Sequence, residues 1–165
     1  MILEGRAIKL GDNINTDLII SGRYKFAITD IKELARHIME DIDPRFADKI
    51  EPGVSIIAAG KNFGMGSSRE QAPLVIKESG IAAILAKSFA RIFYRNSFNI
   101  GLTLIETDTD KIAEGEELRI DLDKGVVRGS GREHKIKPFP RFMQQLLAEG
   151  GMVNYYKKYG KLPEV

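Results

Sequence analysis

Val54-Ser55-Ile56-Ile57-Ala58-Ala59-Gly60-Lys61-Asn62-Phe63-Gly64-Met65-Gly66-Ser67-Ser68-Arg69-Glu70 is the stretch that decides the fold. Residues 54–59 are apolar almost without interruption, the pattern of a strand covered on both faces. Residues 60–66 form a glycine-rich loop. Ser67 and Glu70 have the S-x-x-E spacing of a capping box, so the sequence predicts a helix opening at Ser67. Ala72, Val75 and Ile76 supply its apolar face, and Gly80 is a suitable stop.

Downstream, residues 81–86 repeat the buried-strand pattern, Ser88 is placed to cap a helix over 89–98, and residues 102–105 read as a third strand. Strand, helix, strand, helix, strand implies parallel strands joined by right-handed crossovers. After Thr107 the pattern changes. Residues 118–122, 126–128 and 134–137 read as short antiparallel strands joined at Asp123-Lys124-Gly125 and Gly129-Ser130-Gly131. Helices follow over 142–147, stopping at Gly150-Gly151, and over 152–159. Upstream lie a strand ending at Leu10, a turn at Gly11-Asp12-Asn13 and a loop over 15–25. A helix then runs from Thr29 or Asp30 to about Glu40, and a short helical turn begins at Pro44. The expected fold class is α/β, with residues 1–165 as one domain.

At 165 residues the chain is long enough for a hydrophobic core. Its net charge of +2 comes from Lys and Arg spread along the chain, which argues against a nucleic-acid partner. No apolar stretch approaches the roughly 20 residues of a membrane helix. The N-terminus lacks the pattern of a signal peptide, so the expected location is the cytoplasm. There is no cysteine, so no thiolate-bound cluster or zinc can be held by this chain. His37 and His134 stand far apart, and no metal ligand set is expected.

Glycines let backbone approach a ligand closely, a helix start suits an anion, and Arg69 offers a two-pronged grip on a carboxylate. Lys61, followed by Asn62, adds a second cation. Residues 60–69 therefore read as an anion pocket with two hydroxyls at its rim, against the plainer alternative of a tight strand-to-helix turn. A nucleotide phosphate fits poorly: Lys61 precedes the glycine pair, and Arg69 stands where a dinucleotide fingerprint has its third glycine.

Gly64-Met65-Gly66-Ser67-Ser68-Arg69-Glu70 resembles the G-x-G-S-S-R-E signature of the aconitase superfamily's swivelling domain. In isopropylmalate isomerases and homoaconitases of many prokaryotes, that domain is a separate small subunit. Gly11-Asp12-Asn13-Ile14-Asn15-Thr16-Asp17 is similar to the family's Asp-rich loop, and Ala90-Arg91-Ile92-Phe93-Tyr94-Arg95-Asn96-Ser97 to the stretch after its second strand. The resemblance implies a β/β/α swivelling domain, a mixed sheet with flanking helices. It implies a hydro-lyase that dehydrates and rehydrates a small dicarboxylic hydroxy acid, with leucine biosynthesis as the expected setting. Ser67 would be the base that takes a proton beside a carboxylate, with Asp17 as a further active-site residue. Ser68 and Arg69 would hold a substrate carboxylate. A [4Fe–4S] cluster would be held by a partner large subunit and none by this chain. A carboxylate-binding module without chemistry is the alternative from another class.

Gly22-Arg23-Tyr24-Lys25-Phe26-Ala27 matches the family's substrate-recognition loop, which makes Arg23, Tyr24 and Phe26 candidate substrate contacts. Homoaconitase small subunits resemble one another in having Tyr-Leu-Arg-Thr there. Phe26 in the arginine's place favours an isopropyl group over a carboxylate, unless the ring is turned into the core. Arg91 and Arg95, four apart, can serve the anion pocket, meet the large subunit or face solvent. Tyr155, Tyr156 and Tyr159 are expected to pack against the body, and Phe89, Phe93 and Phe98 to lie in the core.

Overall fold

The computed structural model describes residues 1–163. Strands β1 (Ile2–Lys9), β2 (Ser55–Ala59), β3 (Ala83–Ala86) and β4 (Leu104–Glu106) run parallel. Strands β5 (Glu117–Asp121), β6 (Val126–Gly129) and β7 (Arg132–Lys135) continue the sheet antiparallel from the other edge of β1. Among the described residues the sheet has seven strands in the order β4-β3-β2-β1-β5-β6-β7. It is the mixed sheet with flanking helices that the sequence leads one to expect.

The two halves differ in burial, and the sequence shows why. Every residue of β2 and β3 is buried, and Ile57 sits between Ile8 and Ile84 in register. In β5, by contrast, Leu118 and Ile120 point inward while Glu117 and Arg119 face out. On that outer face Arg119 pairs with Glu4 across β1, and Arg128 pairs with Glu133 across the β6–β7 hairpin. Parallel strands lie between helices, and an antiparallel sheet can leave one face in water.

The helices are α1 (Thr16–Ile19), α2 (Gly22–Lys25), α3 (Ile31–Ala35), α4 (Gln71–Glu78), α5 (Arg91–Asn99), α6 (Arg141–Ala148) and α7 (Met152–Tyr159), with a 3-10 turn at Ala47–Lys49. No described helix is long and apolar enough to cross a membrane.

Several boundaries differ from the sequence reading. The expected loop over 15–25 holds two single-turn helices, because Asn15 accepts the Leu18 N–H at 2.9 Å and Ser21 accepts that of Arg23. Asp30 does cap α3, but the helix ends at Ala35 rather than Glu40. Met39 has φ of +52° there, and its N–H donates to the Ile19 carbonyl at 2.9 Å. A tertiary hydrogen bond has replaced the helical one. The capping box at Ser67 does not form: α4 begins at Gln71, its N-cap position is Glu70, and no side chain caps it. Ser88 does not cap α5, which begins at Arg91; its hydroxyl accepts the Asn62 N–H at 2.9 Å instead.

Phe93 and Phe98 are buried, and Phe89 packs on the same core. Of the three C-terminal tyrosines only Tyr155 is buried; Tyr156 and Tyr159 are exposed, with the Tyr159 ring tilted against Tyr155, centroids 4.6 Å apart. The expected packing therefore holds for one ring of three.

Candidate active site

Because β1, β2 and β3 are parallel, the segments that follow them emerge at one end of the sheet, where open α/β sheets bind ligands. Backbone hydrogen bonds join these segments. The Asn13 N–H donates to the Lys61 carbonyl at 2.8 Å, that of Gly64 to Ile14 at 2.7 Å, and that of Thr16 to Met65 at 2.9 Å. The buried Thr16 hydroxyl donates to the Ser67 carbonyl at 2.9 Å. On the other flank the Phe63 N–H donates to Ser88 at 3.0 Å and that of Ala90 to Phe63 at 2.9 Å. Phe63 is fully buried, edge-on to Phe93 with centroids 5.5 Å apart. Gly64, at φ +79°, lies so close to the Phe93 ring that a Cβ there would overlap it. The three stretches quoted for the family resemblance, far apart in sequence, thus form one corner.

In that corner lies a cleft of about 330 Å³. Gly66, Ser67, Ser68 and Arg69 form one side, the first turn of α5 from Arg91 to Phe93 forms the other, and Thr16 borders both. Ser67 and Ser68 are exposed. Arg69 lies behind them with its side chain only 12% exposed, paired with the Asp17 carboxylate. Its Nη1 also reaches the Ile20 carbonyl at 3.4 Å, and its buried Nε has no hydrogen-bond partner. The fold therefore brings Ser67, Ser68, Arg69 and Asp17 together. It sets a cation and two hydroxyls around one cleft, groups that can stabilise an alkoxide or bind a carboxylate.

Other candidates lie elsewhere. Lys61 and Asn62 do not border the cleft. The Lys61 N–H donates to Asp12 at 2.7 Å, and Asn62, at φ +58°, donates its side-chain amide to Asn13 at 3.0 Å. Both hold the loop in shape. On α2, Arg23 pairs with Asp41 at 2.5 Å. Tyr24 stacks on His37 with centroids 3.8 Å apart. A bond from its hydroxyl to Glu40 raises the Tyr24 pKa, with burial adding to the effect. Phe26 is 84% exposed, with the Lys25 ammonium 4.5 Å from its ring centre, so the ring is not turned into the core. None of these three lines the cleft.

The sequence reading passed over Thr16, although it stands beside Asp17 in the matched loop; a hydroxyl that is 2% exposed needs a partner, and the Ser67 carbonyl is that partner. Asn96 and Ile92 also line the cleft, with no signal beyond their place in the third matched stretch. Among the described residues no group of three His, Cys, Asp or Glu is placed to hold a metal ion. With no thiolate anywhere in the sequence, the donors here do not suit an iron–sulfur cluster.

Residues 13–110 match the aconitase C-terminal domain family. The chain is 54% identical over 164 residues to 3-isopropylmalate dehydratase small subunit 2 of Archaeoglobus fulgidus, covering 98% of this chain and 99% of that one. It is 50% identical over 167 residues to 3-isopropylmalate dehydratase small subunit 1 of Thermotoga maritima, covering 99% and 100%. Among solved structures it is similar to a 3-isopropylmalate dehydratase from Methanocaldococcus jannaschii. That likeness has a TM-score of 0.89 and 48% identity, and covers 97% of this chain and 96% of the other.

Proposed function

The chain belongs to the aconitase C-terminal domain family, and from that premise we propose that it is the small subunit of a 3-isopropylmalate dehydratase. The enzyme interconverts 2-isopropylmalate and 3-isopropylmalate by dehydration and rehydration through 2-isopropylmaleate, in leucine biosynthesis. Residues 1–165 are taken as one swivelling domain acting in the cytoplasm with a large subunit.

The observation that carries the reading is the pair of exposed hydroxyls, Ser67 and Ser68, lining one cleft with the largely buried side chain of Arg69. A proton beside a carboxylate is weakly acidic, and a neutral hydroxyl is a poor base. Positive charge in the same cleft favours the Ser67 alkoxide, which accepts the proton as the carbon–carbon double bond forms and the substrate hydroxyl departs as hydroxide, taking a second proton from solvent to become water. In the reverse direction Ser67 returns its proton to one carbon, and water, giving up a proton to solvent, adds as hydroxide at the neighbouring carbon. Ser68 and Arg69 hold a carboxylate so that the proton faces Ser67. Asp17 keeps Arg69 in place. A [4Fe–4S] cluster held by thiolates of the large subunit would supply Lewis acidity toward the substrate hydroxyl. Phe26 does not line the cleft, but its exposed ring stands in the segment matched to the family's substrate-recognition loop, where an aromatic surface suits the isopropyl group of isopropylmalate better than the extra carboxylate of homoaconitate.

The test is to mix the purified chain with a large subunit and follow isopropylmaleate formation from 3-isopropylmalate. Turnover is expected only from the mixture, and the purified chain alone should contain no stoichiometric iron. Turnover by the chain alone, or hydration of homoaconitate in preference to isopropylmaleate, overturns the reading.

A further inference from the structure

The cleft beside Ser67 has a second cation that the mechanism does not use. Of the residues that line it, only Arg69 and Arg91 are positively charged. They differ in availability. Arg69 is largely buried and ion-paired with Asp17, so part of its charge is already neutralised. Arg91 is exposed and makes no ion pair among the described residues. It is also well placed. It is the first residue of α5, and the preceding Ala90 donates its N–H to Phe63 at 2.9 Å. Two residues further on, Phe93 packs against Gly64. The first turn of α5 is thus fixed to the same loop that carries Ser67. Arg95 lies one helical turn beyond, is equally exposed, and does not line the cleft.

A dicarboxylic acid brings two anions into this space. A carboxylate taken out of water needs a charged partner, and Arg69, already paired with Asp17, meets that need only in part. We propose that Arg91 is a substrate-binding residue whose guanidinium holds the second carboxylate, the one that Arg69 does not. This rests on the dehydratase reading and extends it with a residue on a different element. Arg91 binds substrate in the ground state and the transition state alike, so its loss should act on KM rather than on kcat.

The experiment uses the reconstituted two-subunit enzyme with Arg91→Gln, Arg91→Lys and Arg95→Gln. Arg91→Gln should raise KM for 3-isopropylmalate by about tenfold or more while kcat changes by less than about threefold. Arg91→Lys should recover part of that loss, and Arg95→Gln should behave as wild type. Raising the salt concentration should raise KM in wild type and have a smaller effect in Arg91→Gln. Titrating the large subunit with each variant should give the same half-saturation. An unchanged KM overturns the proposal. So does a KM change that disappears once the subunits are saturated, since Arg91 would then act at the interface. If the wild-type pair instead turns over a different dicarboxylic hydroxy acid, the isopropylmalate reading fails and the same comparison on that acid still decides Arg91. If no diacid is turned over, both fail.

Discussion

Ser67 shows how one position can satisfy two readings until the backbone is seen. Its spacing from Glu70 suits a helix cap, and its place in the signature suits a base. Since α4 begins at Gln71, Ser67 caps nothing. Ser67→Ala should therefore change unfolding free energy by less than about 0.5 kcal/mol, not the roughly 1 kcal/mol of a lost cap. Turnover of the reconstituted enzyme should fall by several orders of magnitude. Denaturation and steady-state kinetics on the same preparation measure both, and survival of more than about a tenth of wild-type turnover, worth only about 1.4 kcal/mol, removes Ser67 as the base. Phe26 is the second test at this scale. The ring is exposed, so Phe26→Arg should fold normally. Burying an isopropyl group's three carbons is worth about 0.8 kcal/mol each, so the ratio of kcat/KM for isopropylmalate over homoaconitate should drop by at least about tenfold. An unchanged ratio would take Phe26 out of substrate selection.

At the scale of elements, the glycine loop and α5 behave as one piece. Gly64 has φ +79° and sits against the Phe93 ring, whereas at Gly66, with φ +94°, an added Cβ would meet Asn15 and Thr16 only at an ordinary contact distance of 3.6 Å. Gly64→Ala combines left-handed backbone strain with displacement of a buried ring; Gly66→Ala carries only the strain, about 1–3 kcal/mol. Chemical denaturation should find Gly64→Ala the less stable of the two. Its reconstituted turnover should also suffer more, because moving Phe93 moves the wall opposite Ser67. Equal stability losses would show that the Phe93 contact does not fix the loop. Lys77 ties the helices in a similar way: its ammonium, on α4, donates to Ile100 at the end of α5 and to Gly150 after α6, the latter at 2.9 Å.

Across the whole molecule, paired carboxylates set the response to acid. Burial pushes the Glu116 carboxyl up, but the Ala113 N–H, Ser130 and Arg132 outweigh it and hold the group below the ordinary glutamate value. Asp43, Asp110 and Glu149 are lowered the same way, chiefly by Lys49, Lys87 and Lys158, and Asp123 by the N-terminal ammonium. A carboxyl whose pKa is lower folded than unfolded adds stability above its unfolded value. That contribution is lost as pH falls through the folded value. The melting temperature should thus be level near neutrality and fall as pH drops below about 4.3, the unperturbed glutamate value. Glu116→Gln should flatten part of that fall and lower stability at pH 7. A pH profile identical to wild type would show that Glu116 does not contribute.

Some of this was determined by the sequence alone. Unbroken apolar runs at 54–59 and 81–86 forced strands covered on both faces, and alternation at 118–122 forced one-sided strands, because side-chain period and burial are local properties of the chain. The lack of cysteine left this chain without a thiolate to hold a cluster. The hydroxyls of the site were legible in one seven-residue stretch. Only the tertiary structure decided which candidates meet. Met39, Ser67 and Ser88 each bond to a partner far off in sequence, Ile19, Thr16 and Asn62, and at each an expected helical bond or cap is missing. Parallel β1, β2 and β3 gather three distant loops at one edge, leaving Lys61 and Asn62 as scaffold while bringing Arg91 to the cleft and leaving Arg95 outside it. Spacing along a chain fixes which face of an element a residue occupies, but which faces meet depends on how strands pair across long stretches of sequence.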